Sequence, residues 1–353
     1  MPELVTLGET MVMFNPMAGG PLRYVSTFQK HVGGAETNVA VGIVRLGHSA
    51  GWMSKVGADE FGAYVVSMNR GEGVDTSRVR VTGEAPTGVV FKELRGVGDP
   101  RVYYYRKGSA ASLMAPEDLD ADYIGGARVM HVTGITPALS ESCAATVREA
   151  MVMARRAGVS TSLDPNLRLK LWPKDRFREV IGGLLPLTDI LLSGLDEGQI
   201  LLGWDDGRER DGAPAQAEEV AAALLRRGPK VVALKMGDKG SYVQASAAVA
   251  AGSATSGVVR DESILGRPAD EEEVSGVYVP GFTVPQVTDT IGAGDAFCAG
   301  FLAGLLKGYS YRDAARLGNV CGAHAVTVVG DIQGLPTWDE VQAFLGNAEV
   351  VNR

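Results

Sequence analysis

The stretch that decides the fold is "DTIGAGDAFCAG", residues Asp289–Gly300. Asp295 follows directly on the triplet Gly292, Ala293 and Gly294, and small and apolar residues at helical spacing come after it. Residues with almost no side chain let backbone N–H groups approach a ligand closely. A helix that begins here, predicted over Asp295–Leu306, leaves its first N–H groups unpaired with its positive end facing outward. Together these features favour an anion such as phosphate. Asp295 is then either an N-terminal helix carboxylate or a general base. Phe297 stands where a dinucleotide fingerprint needs its third glycine, and no G-x-x-x-x-G-K-[ST] occurs in the chain. A nicotinamide-dependent oxidoreductase and a P-loop enzyme are both disfavoured.

Outward from this turn, strand and helix alternate. Leu4–Leu7, "SAGWMSKVG", Arg128–Val132, Val159–Leu163, Asp189–Ser193 and Lys230–Lys235 read as strands. Helices are predicted from Ala35 to the glycine stop at Gly47, over "DEFGAYVVSMNRGEG", over Ser140–Ala157, over Tyr311–Val328 and from Trp338. This rhythm implies an α/β fold whose mostly parallel sheet carries helices on both faces. Two early strand-rich segments break it, 11–32 and 87–107, with "GVGDP" as a turn in the second. They read as a small β appendage on a discontinuous main domain of residues 1–10, 33–86 and 108–353. Residues 245–276 are rich in Ala, Ser, Gly and acids without clear periodicity, and read as a mobile surface insertion or an extra flap.

Composition narrows the function classes. The chain has 353 residues, 45% hydrophobic and 22% charged, with a net charge of −8 and no basic run. Nucleic acid and an anionic membrane surface are therefore poor partners. Cys143, Cys298 and Cys321 lie far apart, which suits a reducing compartment, and the expected location is the cytoplasm.

Four further segments carry chemistry. "VGGAETNVAVGIVRLG" (Val32–Gly47) places Gly33-Gly34, Glu36 and Asn38 at the head of an apolar helix, where they either cap it or bind sugar hydroxyls. In "YYYRKGSA" (Tyr103–Ala110) strand alternation puts Tyr104 and Arg106 on one face, either a solvated strand edge or a surface suited to a ligand with a carboxylate. "SLDPNLRLKLW" (Ser162–Trp172) follows a strand at the end where open α/β sheets bind ligands, and offers Arg168. "LKMGDKGSY" (Leu234–Tyr242) reads as a tight turn between strands.

"VGGAETNVAVGIVRLG" with "KVGADEFG", and "DTIGAGDAFCAGFLAG", resemble the two signatures of the ribokinase-like (PfkB) family of carbohydrate kinases. "RVYYYRKGSA", "HVTGITPALS", "DPNLRLKLW" and "GDIQGLP" are similar, in order, to its 2-keto-3-deoxygluconate kinase branch. The resemblance implies a three-layer α/β/α domain with a small β-sheet lid formed by the two early segments, which often pairs subunits into a homodimer or tetramer. It implies an ATP-dependent phosphotransferase acting on a sugar hydroxyl, with Asp295 as general base and the Gly292–Gly294 backbone as anion hole. The rival within the family is a fructokinase or another sugar kinase; outside it, a non-catalytic sugar- or nucleotide-binding relative. ATP and Mg²⁺ are the implied cofactors, with K⁺ as a further candidate. Ser193, Lys235, Gly237, Gly240, Gly292, Gly294 and Asn319 match nucleotide-site positions. The family's N-x-x-E element reads Ser193-Gly194-Leu195-Asp196 here, so Asp196 and Glu197 are both metal candidates, acting through water. Gly34, Asn38, Tyr104, Arg106, Arg168 and Asp331 match substrate contacts. Two arginines argue for an acid sugar, because a neutral one would leave a buried guanidinium without an ionised partner.

Overall fold

The computed structural model describes residues 1–95, 101–205, 214–250, 264–265 and 269–346. The "GVGDP" turn and half of the 245–276 segment lie outside the described residues.

In chain order the strands are β1 (Leu4–Leu7), β2 (Met11–Pro16), β3 (Phe28–Gly33), β4 (Ala50–Gly57), β5 (Asp75–Thr82), β6 (Val89–Glu93) and β7 (Arg101–Tyr105). They continue with β8 (Val129–Thr133), β9 (Ser160–Asp164), β10 (Ile190–Gly194), β11 (Val231–Lys235), β12 (Gly240–Ala245) and β13 (Val277–Pro280). Among the described residues nine strands form one sheet in the order β13-β12-β11-β10-β9-β8-β1-β4-β5. Its pairs are parallel except β11 with β12 and β12 with β13.

Alternation along the strands builds a core on each face. Ile190, Leu192, Val231 and Ala233 point into one apolar cluster, with Trp52 and the helices Ala35–Arg45, Ala293–Leu306 and Tyr311–Ala325. Leu191, Val232 and Leu234 point into the other, against the helices Glu141–Arg156, Lys174–Leu184, Leu195–Leu202 and Pro214–Leu225. Each fully buried Leu or Ile contributes about 1.5–3 kcal/mol, so the two cores hold the sheet from both sides.

The remaining four strands form a separate sheet in the order β3-β2-β6-β7. β2 and β6 pair in parallel, whereas β3 and β7 add antiparallel at the edges. One face presents Met11, Met13, Val90 and Val102. The other carries Phe14, Phe28, Phe91 and Tyr105 in mutual ring contact. No helix among the described residues is long and apolar enough to cross a membrane.

Candidate active site

Chain ends of the parallel strands and the Met11/Met13 face of the small sheet enclose a cavity of about 560 Å³. The anion turn forms one wall. Gly292 caps the helix Ala293–Leu306 with φ +83°, a left-handed conformation that glycine adopts without strain. Asp295 therefore falls in the first turn, buried, with its side chain in the cavity. Gly34 begins the opposite helix at a close approach, where a Cβ would come within 2.4 Å of the Glu9 carbonyl.

Two amides hold the Asp295 carboxylate. Asn38 Nδ2 donates to Oδ2 at 2.7 Å and Asn166 Nδ2 donates to Oδ1 at 3.3 Å. Burial pushes its pKa up to about 7, against the Asn38 hydrogen bond, with Asp164 and Asp331 adding to the rise and Arg168 opposing it. A carboxyl that titrates near neutrality suits proton transfer.

The charged groups in the cavity sort into pairs. Arg106 Nη2 lies 2.5 Å from Glu9 Oε2, and both side chains are buried. Lys235 Nζ lies 2.8 Å from Asp164 Oδ2. Burial alone would lower the Lys235 pKa, but Asp164, Cys298 and Glu197 nearby raise it, so it stays a cation. Lys92, buried on β6, sits 3.6 Å from Asp331 Oδ1 and 3.5 Å from Asp289 Oδ2. Burial raises the Asp331 carboxyl while Lys92 pulls it down. Arg168 is different. It is exposed at the cavity and donates only to the adjacent Leu167 carbonyl at 3.3 Å, with no acidic partner among the described residues.

That pattern corrects the argument from two arginines. Arg106 already has an ionised partner within the chain, so a neutral ligand leaves no uncompensated guanidinium there. Among the described residues that line the cavity, Arg168 alone presents a positive charge outside an ion pair.

Gly34, Asn38, Tyr104, Arg106, Lys235, Glu197, Arg168, Gly292, Gly294, Asp295 and Asp331 all line this one cavity, and Ala293 opens the helix beside them. Tyr104 and Arg106 do share a face, with the guanidinium 5.6 Å from the ring centroid. Asp196 is exposed and outside the cavity lining, whereas its neighbour Glu197 faces inward. Successive helical residues point about 100° apart, so only one of the two can face the site. Glu197 accepts from the backbone N–H of Gly194 at 2.9 Å and of Leu167 at 2.7 Å. Burial and Asp164 push its carboxyl up.

Four matched positions lie away from the cavity lining. Ser193 is buried and its hydroxyl donates to the Gly194 carbonyl. Gly237 and Gly240 shape the β11–β12 turn, with φ +63° and +101°. Asn319 spends its amide on the Val279 and Pro280 carbonyls at 3.0 and 3.1 Å, which places it beside the Val279–Gly281 segment that also contacts Gly240. Glu36 lies behind the site, bonded by the Thr133 and Thr136 hydroxyls.

Glu9, Lys92, Asp164 and Asn166 are lining residues that sequence reasoning passed over. Asp164 and Asn166 sit in a segment quoted for Arg168, Lys92 in the strand β6 and Glu9 in the short link between β1 and β2, and each meets a partner distant in the chain. A lysine at the end of the apolar run "VVFK" is the one local signal by which Lys92 could have been found.

A family model described as pfkB family carbohydrate kinase matches residues 1–338. The chain is 38% identical to the 2-dehydro-3-deoxygluconokinase of Bacillus subtilis (strain 168), covering 99% of this chain and 98% of that protein. It is 34% identical to probable fructokinase-7 of Arabidopsis thaliana, covering 98% and 92%. Its fold is similar to the crystal structure of the PfkB protein from Polaromonas sp. JS666, with a TM-score of 0.79, 34% identity and coverage of 97% and 100%. With its parallel sheet, its separate small sheet and the anion turn beside a buried aspartate, the chain belongs to the pfkB family of carbohydrate kinases.

Proposed function

We propose that the chain is an ATP-dependent kinase that transfers the γ-phosphoryl group to a primary hydroxyl of an acid keto-sugar, 2-keto-3-deoxygluconate. The observation that carries the reading is the meeting, in one cavity, of a buried carboxyl at the anion turn with one unpaired guanidinium, Arg168. The greater identity to a 2-dehydro-3-deoxygluconokinase than to a fructokinase supports the same choice.

Asp295 acts as general base. It accepts the hydroxyl proton while Asn38 and Asn166 keep its two oxygens in place. The first N–H groups after Gly292 meet charge that develops on the transferring phosphoryl oxygens. Lys235, held by Asp164, adds a fixed cation on the nucleotide side. Arg168 takes the sugar carboxylate, and Tyr104, Asn38, Gly34 and Asp331 orient the rest of the sugar. Gly237, Gly240 and Asn319 shape the nucleotide wall. Bound Mg²⁺ neutralises phosphate charge. Among the described residues no three acidic or other ligating side chains cluster, and Glu197 is an inward carboxylate; that donor set fits an ion held mostly by phosphates and water.

Residues 11–32 and 87–107 serve as the lid that excludes water from the phosphoryl group. The outer aromatic face of this sheet, where Tyr105 is 66% exposed, supports pairing with a second copy in a dimer or tetramer. The expected location is the cytoplasm.

A coupled assay with ATP against a panel of acid and neutral keto-sugars tests the reading, with K⁺ exchanged for Na⁺ in a parallel series. Replacing Arg168 by Met should lower kcat/KM for the acid sugar about 10–100-fold, the worth of a charge-assisted hydrogen bond. Fructose turnover should change little. Equal losses on both substrates would remove the carboxylate assignment, and fructose as the better substrate of the unaltered enzyme would favour the fructokinase reading.

A further inference from the structure

The loop after β9 brings nucleotide side, base and sugar side together within five residues. Asp164 pairs with Lys235, the Leu167 N–H binds Glu197, and Arg168 reaches the cavity. Asn166 stands between them, and its backbone is unusual. Its φ is +41°, which makes it the one non-glycine residue with positive φ among the described residues. Left-handed backbone costs about 1 kcal/mol or more for most side chains and is tolerated best by Asn and Asp.

The side chain explains the conformation. Asn166 is 6% exposed, and its Nδ2 faces two carboxylates, Asp295 Oδ1 at 3.3 Å and Asp164 Oδ2 at 3.5 Å. Its backbone N–H also donates to Asp164 Oδ1 at 3.2 Å. The orientation of the amide is fixed by chemistry, since the flipped form would set its oxygen against two carboxylate oxygens. Asn166 Oδ1 is buried at the cavity and has no partner among the described residues.

We propose that Asn166 is a positioning residue for the base. Its strained turn aims one amide at Asp295 and Asp164 together, so the base is held in register with the cation-bearing pair Asp164–Lys235. Asn38 fixes the other oxygen of Asp295 from the opposite helix. Held at both oxygens, the carboxylate cannot rotate about its terminal bond. That leaves one lone pair on each oxygen, in a defined direction, for the incoming hydroxyl. The buried Oδ1 of Asn166 remains an acceptor for a donor on the bound ligand. This inference rests on the kinase reading for its kinetic consequence, but the geometry it describes exists in the ligand-free chain.

Two variants separate side chain from backbone. N166G keeps the left-handed turn at no steric cost and removes only the amide. N166D keeps shape and turn tolerance but sets a third carboxylate against Asp164 and Asp295. Phosphoryl transfer by the full-length protein is measured from pH 5.5 to 9, and the Asp295 carboxyl is followed by carbon-13 NMR of the ligand-free protein. The D295N variant assigns its signal. N166G should lower kcat about 10-fold or more with KM for ATP within about twofold, a loss in the range of a weakened general base. The acid limb and the Asp295 titration should both move upward, and further in N166D. Wild-type kcat in N166G, or an Asp295 titration unmoved in both variants, would overturn the proposal and leave Asn166 as a turn residue only. If the unaltered enzyme phosphorylates no sugar, the kinase reading fails, and the NMR titration still decides the positioning claim.

Discussion

Replacing Asp295 by Asn should strongly lower turnover and at the same time stabilise the folded chain at neutral and alkaline pH. The Asp295 carboxyl is raised from an ordinary 3.8 to about 7, chiefly by burial. Each pH unit of that gap is worth about 1.4 kcal/mol, so an ionised Asp295 costs the folded state at most about 4 kcal/mol. The sign follows from proton counts. Between pH 4 and 7, as an approximate window, the unfolded chain has lost this proton and the folded chain has kept it, so stability falls as pH rises. Above about 7 the full cost is present, and below about 4 it is absent. Asn at this position escapes titration, but its NH₂ cannot accept from both Asn38 and Asn166, a loss of about 1 kcal/mol. D295N should therefore be about 1 kcal/mol less stable than the parent near pH 4 and about 2–3 kcal/mol more stable at pH 8. Urea unfolding followed by tryptophan fluorescence at several pH values measures the difference directly. A stability difference that stays constant with pH would refute the reasoning, since it would mean that Asp295 titrates alike in the folded and unfolded chains. Phosphoryl transfer should drop about 10²–10⁴-fold in the same variant.

For the unaltered enzyme, kcat/KM should rise with pH and level off above about 7, because the base must be ionised in the free enzyme; a flat profile between pH 6 and 8 would argue against Asp295. The Glu9–Arg106 pair should behave as a unit. E9M or R106M alone should cost about 3–5 kcal/mol by leaving one buried charge, whereas the double variant should lose much less than the sum. Strict additivity in urea unfolding would show that the pair is not coupled. K92M leaves the Asp289 and Asp331 carboxylates without their shared cation. It should lower kcat/KM for the sugar about 10-fold or more and raise the Asp331 carboxyl further, with K92R restoring part of the loss. An unchanged sugar KM and kcat in K92M would remove Lys92 from the site.

Most of the framework was legible because it is local. The anion turn, the glycine stop at Gly47 and the apolar runs of β1, β4 and β8 to β11 each announce themselves within about ten residues. β5 and β13 were missed. β5, "DTSRVRVT", is an edge strand with mostly half-buried or exposed residues, so it lacks the apolar run of a buried parallel strand. In the site, Gly292–Asp295 is contiguous and could be read directly. Glu9–Arg106, Lys92–Asp331 and Asp164–Lys235 are long-range pairs, and no local pattern tells which charge faces which. The acid-sugar argument from two arginines failed at that point: it could not see Glu9 beneath Arg106. The choice between Asp196 and Glu197 likewise depended on the rotation of the helix Leu195–Leu202, which no sequence signal fixed.

The pairing of charges inside the cavity bears on how this chain's preference could change over evolutionary time. Arg106, Lys92 and Lys235 are each anchored to a carboxylate that also supports the fold, so altering any of them carries a penalty in stability. Arg168 is exposed and tied only to the carbonyl of the residue before it. It is free to drift. A single substitution there removes the one positive charge outside an ion pair among the described cavity residues, while the buried framework stays balanced. Recruitment toward neutral sugars, or back again, then needs few intermediate steps, and none of them passes through an unstable protein.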